Sequence, residues 1–152
     1  MLSAKERSGT ALVLVGVNGW KTEDLFRKIV SKVKDGYVII RPSKYVSDAD
    51  KPAILSGASM LVYPSHYEGF GMPPLEALAC GTPVITADNS SLPEVVKEAG
   101  IMVDSKDTAA LSGAIRQYLQ NIDSVTKKAQ IEGPERALAF SWKESAKIYL
   151  SA

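Results

Sequence analysis

The most constraining stretch of the sequence is a short apolar run, 60–63, that leads through a glycine-containing loop into a helix-forming run ending near Gly81. The run 60–63 has the length of a buried strand, and the apolar residues after the loop have helical spacing. Two carboxylates, Glu68 and Glu76, lie in this stretch with seven residues between them. Open α/β sheets bind anionic ligands where a strand, a glycine-bearing loop and a helix follow one another, because the loop N–H groups and the helix N-terminus both favour negative charge.

The double proline Pro73-Pro74 restricts how this loop can bind an anion. Prolines are tolerated in the first helical turn, where an N–H has no helical partner, but they cannot donate to a ligand either. The donors must therefore be the amides of the four residues before the prolines. These residues are Gly69, Phe70, Gly71 and Met72. The two glycines suit a close approach of backbone to ligand. The alternative is a tight turn that needs glycine for its dihedral angles alone.

Five short apolar runs alternate with segments of helical periodicity, which predicts an α/β domain with a mostly parallel sheet covered by helices on both faces. The predicted strands are 11–15, 37–40, 60–63, 83–86 and 101–103. The predicted helices are 22–34, 48–57, 73–80, 91–98, 107–120, 124–140 and a terminal helix at 141–152. At 152 residues the chain has the length of a single domain, and 1–10 is expected to be an N-terminal tail.

Local signals refine the helix boundaries. The runs 91–94 and 141–144 are Ser-x-x-Glu capping boxes, in which the serine side chain is expected to bond to an N–H of the first turn. Gly133-Pro134 is expected to break or kink the helix that contains it. Trp142 is expected to be an anchor in the core.

The composition excludes several classes of protein. The net charge of +1 gives no bulk electrostatic preference for nucleic acid or a membrane surface. Cys80 is the single cysteine, so the sequence has no disulfide framework and no cysteine cluster for a metal. The longest apolar run, 11–15, is far too short to span a bilayer, and 1–7 lacks the apolar core of a signal peptide. These features predict a cytoplasmic protein or a cytoplasmic piece of one.

The residues around the loop also resemble a known family. The segments that carry the resemblance are Pro64-Ser65, Glu68-Gly69-Phe70-Gly71, Glu76-Ala77 and Cys80-Gly81-Thr82-Pro83-Val84-Ile85. They are similar to the C-terminal, donor-binding domain of retaining GT-B glycosyltransferases, in the group (glycosyltransferase family 4, or glycosyl transferases group 1) that includes bacterial mannosyl-, glucosyl- and galactosyltransferases. The Glu-x7-Glu motif of that group falls on Glu68 and Glu76, and the resemblance extends from Leu12 to Trp142. It implies a three-layer, Rossmann-like domain that is one half of a GT-B fold.

The resemblance implies roles for the residues of this loop. The amides of 69–72 would contact the diphosphate and the sugar of a nucleotide-sugar donor. Glu68 would accept hydrogen bonds from hydroxyls of the donor sugar and is the candidate catalytic residue. Glu76, expected in the first turn of the helix, would accept from the ribose hydroxyls. A carboxylate that faced the diphosphate directly would be repelled, which agrees with contacts to hydroxyls.

Further donor contacts are expected at the rim of this site. In the family the loop after the second strand contacts the base through its backbone, which implies Tyr45 and Val46 here. Arg41 and Lys44, in the same loop, are interpreted as solvated charges rather than phosphate ligands. Ser65, at the end of the third strand, is expected to help shape the phosphate site.

The family's donor domain begins one strand earlier than this sequence, and that strand is followed by an Arg and a Lys that neutralise the diphosphate. The run 1–10 does not match it. We therefore expect a truncated donor domain without its acceptor domain, which by itself performs no glycosyl transfer and binds nucleotide weakly at best. The strands 11–15 and 60–63 would pair directly, borrow a strand from a partner, or leave the sheet open.

The implied function is transfer of a hexose from a UDP- or GDP-sugar to a saccharide or lipid-linked acceptor, in the synthesis of polysaccharide or glycolipid. No metal ion, other cofactor or nucleic acid is implied. The full protein would work in the cytoplasm or on the cytoplasmic face of a membrane. A non-catalytic nucleotide-binding or interaction module of the same fold is the alternative.

Other functions fit the residues less well. A receiver domain would need aspartates after its first strand, and residues 16–19 contain none. A dinucleotide-binding domain would need the Gly-x-Gly-x-x-Gly fingerprint, whereas residues 16–19 have Gly-x-x-Gly spacing. A hydrolase that used Glu68 and Glu76 as acid and base would need a polar group nearby to position water. His66, the only histidine, is interpreted as a loop side chain, and Cys80 as a small buried residue.

Overall fold

A computed structural model of the chain describes residues 2–16, 19, 21–43 and 45–151. The elements along the described chain are β1 (Leu12–Val13), α1 (Glu23–Lys34), β2 (Ile39–Ile40), α2 (Lys51–Gly57), β3 (Leu61–Tyr63), α3 (Met72–Ala79), β4 (Val84–Ala87), α4 (Leu92–Val96), a 3₁₀ turn (Lys97–Ala99), β5 (Ile101–Val103), α5 (Thr108–Gln120), α6 (Ile122–Ala137) and α7 (Trp142–Ser151). The centre of the predicted turn 16–19 and the predicted solvated charge of Lys44 lie outside the described residues.

The chain forms two compact units, and the first covers Leu2–Lys51. Its strands β1 and β2 are parallel, with Leu12 opposite Ile39. The helix α1 has acidic residues in its first turn and basic residues in its last, which is the arrangement that the helix dipole favours. No residue of α1, all of which is described, is buried. This unit therefore has the parallel pairing expected from the sequence but little apolar core.

The second unit begins at Pro52 and contains the parallel sheet β3–β4–β5 with β4 in the middle. All four residues of β4 are buried. Val84 packs with residues of α3 and α4, whereas the next residue, Ile85, packs with residues of β5 and α5. Successive residues of a strand point to opposite faces, so helices cover both faces of this sheet. The three-layer α/β arrangement predicted from the sequence is confirmed in this unit.

The five predicted strands are all found, and every described strand pair is parallel. They form two sheets, because β1 pairs with β2 whereas β3 pairs with β4. Within the described residues, the strands predicted at 11–15 and 60–63 therefore do not pair with each other directly.

The helix α6 packs against α3 at Gly133, where the backbones come very close. A Cβ atom added at Gly133 would lie 2.6 Å from the carbonyl oxygen of Leu78, a distance that real Cβ atoms do not adopt. Of the predicted break or kink at Gly133-Pro134, the break is wrong, since α6 continues through Pro134 to Ala137, and the kink stays a prediction. Glycine at this position serves the contact between the two helices rather than the end of one of them.

The terminal helix α7 differs from its prediction in one respect. Trp142 is 83% exposed, and no residue of α7 within the described chain is buried, so the predicted role of Trp142 as a core anchor is wrong. The capping prediction for the same helix is supported, because the N–H of Glu144 donates to the Ser141 hydroxyl at 3.4 Å.

The Gly133 contact can be tested by substitution. We expect Gly133→Ala to lower the free energy of unfolding by about 1–3 kcal/mol, because the added methyl group forces the two helices apart. Gly113→Ala is the matched control, since an added Cβ there meets no atom within 4 Å. In a helix interior it should stabilise the protein by about 0.5–1 kcal/mol. Urea unfolding curves of both variants measure the difference, and shifts of the same sign would contradict this account.

Candidate functional site

The loops that follow β3, β4 and β5 meet at one edge of the sheet, where the carboxyl ends of parallel strands lie together. Side chains join the three loops. Asn89, after β4, donates to the carbonyl oxygen of Ser65 at 3.2 Å and to the hydroxyl of Ser105 at 3.3 Å. His66, after β3, has its Nδ1 3.1 Å from the same Ser105 hydroxyl. The loop after β3 is thus fixed by the two loops beside it, and His66 is a loop side chain, as predicted.

The backbone of Glu68 is held by two serines of the loop after β4. Its N–H donates to the Ser90 hydroxyl at 3.0 Å, and its carbonyl oxygen lies 3.1 Å from the Ser91 hydroxyl. The Ser91 hydroxyl also lies 2.8 Å from the carbonyl oxygen of Phe70. The capping box predicted at 91–94 is wrong, because the Ser91 side chain makes no cap bond to α4. Its hydroxyl bonds to the neighbouring loop instead.

The structure requires glycine at one of the two glycine positions of the loop and not at the other. Gly71 has φ +105°, in the left-handed region, and an added Cβ would lie 2.8 Å from the side chain of Leu92. Both observations make a larger residue at Gly71 unfavourable. Gly69 has no φ in that region, and an added Cβ would meet no atom within 4 Å. The alternative of a turn that needs glycine for its dihedral angles therefore explains Gly71 and leaves Gly69 unexplained.

Four consecutive amides of the loop have no acceptor within the described part of the chain. They are the N–H groups of Gly69, Phe70, Gly71 and Met72. The next two residues are prolines, and the first helical N–H to be paired is that of Leu75, which donates to the Gly71 carbonyl oxygen at 3.2 Å. Unpaired N–H groups at the start of a helix attract anions, because the helix dipole adds to their own partial charge. The four amides predicted to donate are thus unpaired within the described residues, and their contact with a ligand stays a prediction.

Glu76 lies one residue further into α3 than predicted, beyond the first turn. The helix begins at Met72, directly after the left-handed Gly71, so both prolines belong to the first turn and Glu76 is the fifth helical residue. Its placement in the first turn was wrong for that reason. The carboxylate is half-buried, and it has no hydrogen-bond or ion-pair partner within the described residues. Its oxygens can therefore accept hydrogen bonds from hydroxyl groups of a ligand.

The carboxylate of Glu68 has one partner inside the protein. The Tyr63 hydroxyl, at the end of β3, donates to its Oε1 at 2.7 Å. Burial of the phenol, together with the negative charge and hydrogen bond of Glu68, raises the pKa of Tyr63 to about 12. The phenol therefore stays protonated at neutral pH and remains a hydrogen-bond donor.

The remaining predicted site residues occupy varied positions. Ser65 is half-buried, and its hydroxyl bonds to the carbonyl oxygen of Tyr67 at 3.3 Å. Phe70 packs edge-on against Phe140, with ring centroids 5.5 Å apart. Tyr45 and Val46 lie in the other unit, in the segment between β2 and α2, where Tyr45 is exposed and Val46 half-buried. Their contact with a base stays a prediction.

Sequence reasoning missed the polar residues that hold the loop. A signal was present, because Asn89-Ser90-Ser91 is a run of short polar side chains directly after a buried strand. Such side chains hydrogen-bond readily to nearby backbone groups. Among the described residues, no group of three or more His, Cys, Asp or Glu side chains is placed to hold a metal ion.

The family model described as "Glycosyl transferases group 1" matches residues 1–132. The chain belongs to this family of glycosyltransferases. Over 143 residues it is 41% identical to the O-antigen chain mannosyltransferase B of Escherichia coli, covering 94% of this chain and 37% of that protein. Over 123 residues it is 32% identical to the glycogen synthase of Mycobacterium tuberculosis, covering 75% of this chain and 30% of the relative. The chain thus spans about a third of the length of these relatives.

Solved structures show the same fold. Sucrose-phosphate synthase from Thermosynechococcus elongatus matches 93% of this chain with a TM-score of 0.75 and 27% identity, over 38% of its own length. TarM of S. aureus matches 97% of this chain with a TM-score of 0.81 and 17% identity, over 29% of its own length. The chain therefore has the Rossmann-like, parallel α/β fold of one part of a GT-B glycosyltransferase. No helix in the described residues has the length and apolar character needed to cross a membrane.

The two glycines give a matched pair of variants. Gly71→Ala should lower the free energy of unfolding by about 1–3 kcal/mol, from the left-handed backbone and the clash with Leu92. Gly69→Ala should leave the melting temperature unchanged, because its Cβ enters open space. Thermal denaturation without ligand measures both effects. Equal losses for the two variants would show that the two glycines share one structural role.

The raised pKa of Tyr63 predicts a loss of stability at alkaline pH. The unfolded chain releases this proton near pH 10 and the folded chain only near 12, so stability falls as the pH rises between these values. Tyr63→Phe removes this contribution. The difference in unfolding free energy between wild type and variant should be constant below about pH 9 and shrink above it. Urea titrations at a series of pH values measure this difference, and a difference that stays constant to pH 12 would contradict the raised pKa.

Proposed function

We propose that the chain is the donor-binding domain of a retaining glycosyltransferase that transfers a hexose from a UDP- or GDP-sugar. The acceptor would be a saccharide or a lipid-linked saccharide, in polysaccharide or glycolipid synthesis. The observation that carries the proposal is the run of four unpaired amides at 69–72, between two glutamates, at the carboxyl edge of the sheet. An anion there would satisfy donors that the described protein leaves without acceptors.

Ligands of the structural neighbours support the choice of nucleotide. TarM was solved in complex with UDP, and Anabaena HepE, which has a TM-score of 0.70 and 18% identity, in complex with UDP-glucose. The name of the 41% identical relative, a mannosyltransferase, supports mannose as a candidate sugar. UDP, GDP and their glucose and mannose conjugates are therefore the ligands to test.

Each part of the site has a proposed task. The amides of 69–72 bind the diphosphate, while Ser65 shapes the loop beside it. Glu68 accepts hydrogen bonds from hydroxyls of the donor sugar, and Glu76 accepts from the ribose hydroxyls. Tyr45 and Val46 contact the base. The proposal requires no metal ion or other cofactor.

The same amides contribute to the chemical step. When the bond between the anomeric carbon and the diphosphate breaks, negative charge develops on the leaving phosphate. Fixed N–H donors stabilise that charge without reorganising, which lowers the barrier. The acceptor hydroxyl gives its proton to an oxygen of the leaving diphosphate, and its oxygen bonds to the anomeric carbon on the face that the diphosphate leaves, so the anomeric configuration is retained. A separate acceptor domain of the full protein would hold the acceptor, in the cytoplasm or at the cytoplasmic face of a membrane.

A non-catalytic nucleotide-binding or interaction module of the same fold is the alternative. A nucleotide-binding module would also bind the donor, whereas an interaction module need not, and in neither case would the full-length protein transfer sugar. A transfer assay of the full-length protein with radiolabelled donors separates them.

Ligand titration tests the donor site. We expect Glu76→Ala to weaken binding of UDP or GDP about tenfold or more, because hydrogen bonds to a charged group are each worth about 1.5–3 kcal/mol. Gly69→Ala should also weaken binding, by obstructing approach to the amides. Glu98→Ala is the control, since Glu98 is exposed in the 3₁₀ turn before β5, at the amino end of that strand. NMR titration at millimolar UDP, GDP and ADP measures affinity. Equal affinity of wild type and Glu76→Ala would refute the assignment of Glu76.

A further inference from the structure

Three hydroxyl groups contact Glu68, one at its carboxylate, one at its N–H and one at its carbonyl oxygen. The Tyr63 hydroxyl donates to its carboxylate at 2.7 Å, and Ser90 accepts from its N–H at 3.0 Å. The Ser91 hydroxyl lies 3.1 Å from its carbonyl oxygen and shares its one proton with the Phe70 carbonyl oxygen at 2.8 Å. The contacts come from β3 on one side and from the loop after β4 on the other. The serines fix where the backbone of Glu68 lies, and among the described residues only Tyr63 bonds to its carboxylate.

The contact leaves the two carboxylate oxygens unequal. Oε1 accepts from Tyr63, whereas Oε2 has no partner within the described residues. A charged acceptor forms stronger hydrogen bonds than a neutral one, so Oε2, which no described group engages, is suited to a ligand hydroxyl. A glutamate side chain without such a contact would sample several rotamers, and a ligand would have to select one of them.

We infer that Tyr63 is a positioning residue that orients the Glu68 carboxylate so that Oε2 faces the hydroxyls of the donor sugar. The inference rests on the proposed function, because it takes Glu68 as the acceptor for the sugar. Tyr63 itself touches neither nucleotide nor sugar, and its effect passes through Glu68. It should therefore alter recognition of the sugar and leave recognition of the nucleoside diphosphate unaltered.

Tyr63 remains a donor throughout the physiological pH range. Burial and the neighbouring Glu68 raise the pKa of Tyr63 to about 12, so the phenol does not lose its proton when the carboxylate is charged. A histidine or a second carboxylic acid in this place would change its donor character near neutral pH. The hydrogen bond to Glu68 thus keeps its donor proton around neutral pH.

The test compares two variants that each lose one hydroxyl. Tyr63→Phe removes the bond to Glu68, and Tyr118→Phe removes a buried hydroxyl in the same unit that lies 3.3 Å from the Val84 carbonyl oxygen. Affinities are measured for UDP, GDP, UDP-glucose and GDP-mannose. We expect Tyr63→Phe to weaken the preferred nucleotide-sugar about tenfold and the nucleoside diphosphates less than twofold. Tyr118→Phe should change the ratio of the two affinities by less than twofold.

A double variant separates orientation of Glu68 from a general effect on the loop. In a Glu68→Ala background, Tyr63→Phe should cause no further loss of nucleotide-sugar affinity, because no carboxylate remains to be oriented. An equal loss in both backgrounds overturns the inference. So does an equal loss for nucleotide-sugars and nucleoside diphosphates, which a merely structural role would cause.

A structure determined without ligand tests the role of Tyr63 independently of the proposed function. A crystal structure of Tyr63→Phe should show the Glu68 carboxylate in more than one rotamer, with the backbone of 68–72 unmoved. A single carboxylate position identical to wild type overturns the inference. If wild type binds none of the four ligands, the proposed function fails, and this structure still decides whether Tyr63 orients Glu68.

Discussion

The left-handed backbone of Gly71 is the constraint on which the candidate site depends. At φ +105° the chain turns sharply against Leu92 and starts α3 at the next residue. The turn leaves the amides of 69–72 outside any helical ladder, and the prolines that follow lack N–H groups to compete with them. Gly71 precedes the helix and has no side chain to cap it, so the amides at the start of α3 remain unpaired and free for an anion.

The position of Glu68 is a product of tertiary structure more than of its own loop. Short hydroxyl side chains after β4 bond to its backbone, and a phenol at the end of β3 bonds to its carboxylate. Each such bond contributes on the order of 1 kcal/mol, so no single one determines the loop conformation. Their convergence on one residue lets a short exposed loop present a carboxylate in a defined direction.

Much of the fold could be predicted, because strand length, helical period and glycine-rich loops are local signals. The parallel strands and the unpaired amides of 69–72 were predicted from these local signals. The errors concern residues whose roles are decided by distant neighbours. Ser91 has a local cap signal, yet its hydroxyl bonds to another loop. Trp142 has the hydrophobicity of a core residue, but no described element covers it. Gly133-Pro134 reads locally as a helix break, and packing against Leu78 overrides it.

The contact between Gly133 and Leu78 also bears on how natural variation in this protein would be interpreted. The main chains of α3 and α6 are in direct contact at Gly133. A side chain at 133 would therefore displace α3, the helix that carries Glu76. A mutant allele at this position would behave genetically like a lesion of the candidate site, although the residue lies far along the chain from the loop.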